Sequence, residues 1–260
     1  MQQPGSPPEI EFHEAAYTGR LSDSADITVG PVSLKINSGE FFSILSPLCG
    51  AGKTLLRMIS GLVRPSSGKV RLSGREAAGC VPESGIVFEE PSLLEWRTLL
   101  ENALLQTELH HMNRQAGETQ ARRLFAAVGL LGHEDRMPHE VPVGLAQRAA
   151  VCRALMHSPS LLLLENPFHR FDGLDREQMA VDLQRLGLTP KITVVMITAD
   201  IREAVQLSDR VAILTHDGRI LQPVSIDLVR PRRMDKATTP LIVEYCSSFR
   251  TILHASGMFT

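Results

Sequence analysis

The chain has no excess of either charge. Across 260 residues, 27 Lys and Arg face 29 Asp and Glu, a formal net charge of −2. That balance argues against a nucleic-acid binder, which concentrates basic residues against phosphates. Cysteine is sparse. Cys49, Cys80, Cys152 and Cys246 match neither metal-ligand spacing nor a small disulfide framework, so reduced thiols of a cytoplasmic protein are expected. No apolar run reaches the roughly 18–20 residues of a membrane-crossing helix. Residues 1–8 are rich in Pro, Gln and Ser and lack the basic and apolar parts of a secretory signal, so a flexible tail is expected. Membrane contact is then expected to be peripheral or through a partner. Lysine is scarce too, with five against 22 arginines.

What is present is ordinary globular material, 43% hydrophobic and 22% charged, which excludes disorder, collagen and coiled coil for the whole chain. The length suffices for a core without disulfides. Phe41–Leu45, Leu161–Leu164 and Thr193–Thr198 are apolar runs, as expected of strands buried on both faces. Shorter strands are predicted at Ile10–Phe12 (an edge), Lys69–Leu72 and Gly85–Phe88. Ile27–Ile36 is predicted as strand, turn, strand. Helical spacing covers Leu55–Leu62, Ile201–Leu207 and most of Leu93–Ala154, with breaks near Gly117, Gly129–Gly132 and Pro138–Gly144. His216-Asp217-Gly218 reads as a hairpin turn between Val211–Leu214 and Arg219–Leu221. Strands alternating with helices around a helical block indicate an α/β core with a helical subdomain near residues 90–158.

The most informative segment is residues 41–62, FFSILSPLCGAGKTLLRMISGL. A buried strand enters a Gly-bearing turn, then Lys53-Thr54, then a helix, which is the setting of a phosphate-binding P-loop. Backbone amides of Gly50, Ala51, Gly52, Lys53 and Thr54 are placed to cup a polyphosphate at the positive end of the helix. Lys53 is expected to reach the β/γ phosphates and the Thr54 hydroxyl to ligate Mg²⁺. Counting back from Lys53, the first glycine of the pattern is replaced by Pro47, which has no amide proton. Leu48 and Cys49 fill the next two positions. A distorted loop with weaker nucleotide binding is the expectation.

Further blocks follow in order: Gly39-Glu40-Phe41, Ser60-Gly61-Leu62, Pro65-Ser66-Ser67-Gly68, Glu90 to Thr98, Gln147-Arg148 to Leu155, Leu161 to Asp172, and Asp200 to Ala204 with Asp209-Arg210-Val211. With the P-loop they make the chain resemble, over nearly its whole length, the ATP-binding subunit of an ABC transporter. The wording is closest to the nitrate/sulfonate/taurine importer branch. The resemblance implies a P-loop ABC-type ATPase core in one nucleotide-binding domain over residues 9–260, with a mixed sheet flanked by helices, a β-rich N-terminal edge and the inserted helical subdomain. It implies ATP and Mg²⁺ as cofactors, with Thr54, Glu165 and Glu89 at the metal positions and Tyr17 near the adenine-stacking position, where plain strand packing is the alternative. It also implies a dimer with a second ATP-binding subunit, docked on a transmembrane permease at the inner face of the cell membrane. No nucleic-acid partner is expected.

Several positions depart from the family pattern. The Q-loop glutamine is Glu89. The signature is Val141-Pro142-Val143-Gly144-Leu145, and only Gly144 survives. The Walker B pair is Glu165-Asn166, so a neutral amide holds the place of the general base. The switch histidine is replaced by Ala199. An amide cannot accept the proton that the reaction releases. The expectation is therefore a subunit with little or no intrinsic hydrolysis and a structural or regulatory role. The alternative is an active ATPase in which Glu165 or Glu89 replaces the missing glutamate.

Other candidates are weaker. Adjacent His110 and His111 point in different directions on a helix, so a solvated surface is expected rather than a metal site. Arg230, Arg232 and Arg233 suggest either a solvated loop or a contact with the membrane partner, with nucleic acid a weak third alternative. Cys49 is either a buried inert thiol or redox-sensitive, depending on exposure. Leu99 to Leu105 is expected to be subdomain core.

Overall fold

The computed structural model describes residues 9–19, 27–46, 49–79, 81–186, 192–232, 235 and 238–256. Pro47, Leu48, Arg233, the thiol of Cys49 and the tail 1–8 lie outside the described residues.

Two sheets form the molecule. The larger has β3 (Phe41–Leu45), β6 (Ser84–Val87), β7 (Leu161–Glu165), β8 (Thr193–Thr198), β9 (Arg210–Ile213) and β10 (Val224–Ser225), in the order β10-β9-β3-β8-β7-β6. All pairings are parallel except β10 with β9. The period of two divides the apolar runs between its faces. Leu162, Leu164, Val194 and Met196 enter one core cluster, whereas Leu161, Leu163, Val195 and Ile197 enter the other. Both faces are covered, so these strands are continuously apolar. The smaller sheet, β2-β1-β4-β5, is antiparallel and uses β1 (Ile10–Gly19), β2 (Ile27–Ile36), β4 (Ser67–Leu72) and β5 (Arg75–Glu76). The predicted strand at Ile10–Phe12 is thus longer and is internal, hydrogen-bonded to strands on both sides. The predicted turn inside Ile27–Ile36 is absent. The strand runs on through Gly30-Pro31 with Gly30 at φ 95° and a shift in its register against β1, and the edge position of β2 tolerates the proline.

Helix α1 (Cys49–Ile59) follows β3 and packs into the core shared by the two sheets. The helical layer contains α2 (Leu99–Leu109), α3 (Arg114–Ala127) and α4 (Val143–Leu155), and its core includes Leu99, Ala103, Leu104 and Phe125. Thr98 caps α2 in a reciprocal box with Glu101. Gly117 does not break a helix as expected. It lies inside α3, where an added Cβ would stand 2.6 Å from the Thr107 hydroxyl, so its small size sets the α2–α3 approach. His110 departs from a purely solvated role, since its ring stacks on His157 at 5.2 Å between centroids.

Helices α5 (Gly173–Arg185), α6 (Ile201–Leu207) and α7 (Thr238–Ala255) complete the chain. Buried Arg148 of α4 bonds Asp182 of α5 at 3.0 Å and the Val128 carbonyl at 2.6 Å, locking the helical layer to the core. Arg232 is not a solvated loop residue. It is buried, and its guanidinium donates to the carbonyls of Val205, Ser208, Ile226 and Leu228. Arg230 pairs with Asp209 at 2.9 Å. Among the described residues no helix is long and apolar enough to cross a membrane.

Candidate phosphate site

The carboxyl ends of neighbouring parallel strands are where open α/β sheets collect ligands. Here the ends of β3, β8, β7 and β6 lie side by side and carry Ser46, Thr198, Glu165 and Glu89. Ser46 donates its amide to the Thr198 carbonyl at 2.9 Å, extending the β3–β8 pairing to the start of the phosphate loop. Gly52 fits this corner because it has no side chain. A Cβ there would stand 2.7 Å from Cγ2 of Ile197 and 3.0 Å from Cβ of Ser46. No acidic residue occupies the first turn of α1, so nothing there opposes the positive end of the helix. Thr54 is fully buried, and its hydroxyl donates to the Gly50 carbonyl at 3.0 Å. Ala51 packs against the core cluster beneath the loop.

Lys53 is not free. Its Nζ lies 2.5 Å from Oε2 of Glu89 and 3.1 Å from Oε1 of Glu165. Burial opposes its charge, but the hydrogen bonds to Glu89 and then Glu165 outweigh that and hold its pKa above the usual lysine value. The other Glu89 oxygen faces Nε2 of His169 at 3.7 Å, and the adjacent Arg170 pairs with Glu90. The segment after β7 is thereby pinned to the segment after β6.

Two residues of α4, unassigned by sequence reasoning, fix the Glu89 segment. Gln147 donates to the Phe88 carbonyl at 2.8 Å, and Arg153 donates to the carbonyls of Ser92 at 2.7 Å and Pro91 at 3.1 Å. Their signal in the sequence was only that, with Arg148, they are the long polar residues of a largely apolar helix.

Asn166 is buried, takes a left-handed backbone (φ 42°) and donates its amide to the Ile197 carbonyl at 2.8 Å. Asparagine tolerates that conformation better than most residues. Ala199 is exposed at the end of β8. Beneath it, Thr198 Oγ1 donates to Glu203 at 2.5 Å, while Asp200 caps α6 and holds Arg176 at 3.1 Å. Burial pushes the Glu203 carboxyl up to about 7, against the Thr198 hydrogen bond. Sequence reasoning missed this buried acid, which a capped short helix conceals.

The remaining predicted positions sit apart. Tyr17 is half-buried on β1 opposite Val29 and packs on the core cluster. Pro142 begins α4 without a side-chain cap. Val143 is exposed, Val141 and Leu145 lean on the core, and a Cβ on Gly144 would meet the Phe171 ring at 3.4 Å. Among the described residues no hydrogen bond or ion pair joins Tyr17, Ala199 or residues 141–145 to the Lys53 cluster. A cleft of about 350 Å³ lies on the helical layer, lined by Trp96, Arg97, Glu101, Leu104, Glu108 and Arg114.

Carboxylates and a threonine hydroxyl are hard oxygen donors of the kind Mg²⁺ takes, and a side-chain-free corner at a helix start suits a polyphosphate. The chain's relatives agree with that chemistry. The ABC transporter family profile matches residues 29–169. Over 207 residues the chain is 40% identical to the aliphatic sulfonates import ATP-binding protein of Rhodococcus jostii, spanning 79% of this chain and 80% of that protein. The chain belongs to the ABC transporter family. It is also 40% identical over 220 residues to the nitrate import ATP-binding protein of Synechococcus elongatus, spanning 82% of this chain and 33% of that longer protein. A dimeric ATP-binding cassette in a post-hydrolysis state, bound to ADP and Pi, superposes with a TM-score of 0.74 at 25% identity, over 85% of this chain and 100% of that one. The expected importer-branch resemblance and the ABC-type α/β architecture are both borne out.

Proposed function

We propose that this chain is the ATP-binding subunit of an importer-type ABC transporter, and that it binds nucleotide while hydrolysing it little or not at all. It acts as one nucleotide-binding domain over residues 9–260, with a helical subdomain near 90–158, in a dimer with a second ATP-binding subunit. The dimer sits at the inner face of the membrane through a permease. Support comes from the names of the relatives, which are import ATP-binding proteins, and from the dimeric cassette. The Trp96 cleft, with Trp96 73% exposed, is a suitable surface for a permease segment.

The single observation that carries the reading is the Lys53 cluster. The phosphate lysine, Gly50, Gly52 and Thr54 are kept at the helix start, but the carboxylates near them are both engaged with Lys53, and Asn166 stands where a base is needed. When bound, Mg²⁺ would screen phosphate charge, and Thr54, Glu165 and Glu89 are the residues to hold it. Lys53 would bind the phosphates. Glu89 and Glu165, tied to Lys53, are poorly placed to substitute as base. Loss of a general base costs about 10²–10⁴-fold in rate, and Pro142, Val143 and Ala199 remove further transition-state contacts. The test is steady-state ATPase activity of the purified subunit, alone and with its co-purified partners. Turnover near background is expected. Activity abolished by Lys53→Ala would refute the reading.

A further inference from the structure

We propose that Glu89 makes this phosphate site selective for metal-loaded nucleotide. Its carboxylate serves as an internal counter-ion to Lys53, so a polyphosphate gains the lysine only when a divalent cation offsets the carboxylates. The proposal rests on the nucleotide-binding reading above and assigns a specificity to that same site.

The charges carry the argument. One ammonium faces two carboxylates, Glu89 at 2.5 Å and Glu165 at 3.1 Å. The Glu89 and Glu165 side chains are 18% and 7% exposed, so solvent screens this cluster weakly. One ammonium against two carboxylates leaves the Lys53 cluster net negative before any nucleotide arrives. Metal-free polyphosphate would bring more negative charge to it and would have to displace a charge-assisted hydrogen bond. A divalent cation reverses that sign.

Glu89 is also held in position. The Phe88 carbonyl on one side accepts from Gln147, and Glu90 on the other pairs with Arg170. His169 closes on the second Glu89 oxygen at 3.7 Å. The backbone of Glu89 is thus fixed on both sides, and swinging its carboxylate away would give up the contacts with Lys53 and His169. A glutamine at this position would leave Lys53 with Glu165 alone, a neutral pair open to phosphate.

The test is an equilibrium titration of the full chain with a fluorescent ATP analogue, in Mg²⁺ and in EDTA, on the unaltered protein, Glu89→Gln and Glu89→Ala. Circular dichroism melts check folding, and the alanine variant serves if the glutamine variant does not fold. The unaltered protein should bind at least about tenfold more weakly in EDTA than in Mg²⁺. The Glu89 variants should bind the metal-free analogue about 10- to 100-fold more tightly than it does, the size expected for a charged hydrogen bond, and so narrow the gap. An unchanged Mg²⁺/EDTA ratio in folded variants, with binding by the unaltered protein intact, would overturn this inference alone. Absence of binding by every form in both conditions would overturn it together with the nucleotide-binding reading.

Discussion

Asn166 serves the structure, and under the proposed reading it also withholds a catalytic base. Its backbone is left-handed, a conformation that costs a residue with a longer side chain about 1–2 kcal/mol. Putting a carboxylate back with Asn166→Glu should therefore lower the Tm by about 2–4 °C per kcal/mol lost in a chain of this size. Turnover should stay low, because groups that act as a unit do not recover singly while Ala199 and Pro142 remain. Thermal melts and an ATPase assay check the two halves; a large rise in hydrolysis from this one change would refute the second. Glu203 gives a pH prediction. Its carboxyl titrates near 7 in the fold, above the usual value of 4.5. The raised value stabilises the fold fully below about pH 4.5, and that contribution is lost as pH rises toward and through 7, by a few kcal/mol at most. Urea melts at pH 5 and pH 8 should show this loss, and Glu203→Gln should flatten it. An equal slope in the variant would contradict the assignment.

Among the elements, β3, β7 and β8 were legible because strands covered on both faces must be apolar throughout. Lys53 and Thr54 were legible because a P-loop is a local pattern. The grip of Glu89 and Glu165 on Lys53 was not, since it depends on which strands lie side by side. Gly30-Pro31 misled because an edge strand accommodates a local irregularity, here Gly30 at φ 95°, without being broken into two. Helix α7 was overlooked although Ile242, Cys246, Phe249 and Leu253 recur at helical spacing and are buried together. Arg232, read in sequence as part of a basic cluster, instead joins α6 to the segment after β10 through backbone carbonyls. Arg232→Ala would leave several buried carbonyls without donors and should destabilise by about 3–5 kcal/mol, read as a lower urea midpoint. A change under about 1 kcal/mol would show that water replaces the guanidinium.

For the whole molecule, the architecture of an ABC cassette is kept while Glu89, Asn166, Ala199 and residues 141–145 depart from the family pattern. Packing explains why both hold at once. The apolar strands, the Arg148–Asp182 lock and the Gly52 corner set the fold, and none of them requires a base at position 166 or a histidine at position 199. Under the proposed reading, a homodimer of this chain would have two weakened sites, because each site would pair Walker residues of one copy with the signature position of the other. The most direct test pairs a nucleotide-binding titration with a steady-state ATPase assay on the same purified protein in Mg²⁺, with Lys53→Ala as control. The expected result is saturable binding that the substitution weakens, with turnover at background. Steady hydrolysis that disappears in Lys53→Ala would contradict it.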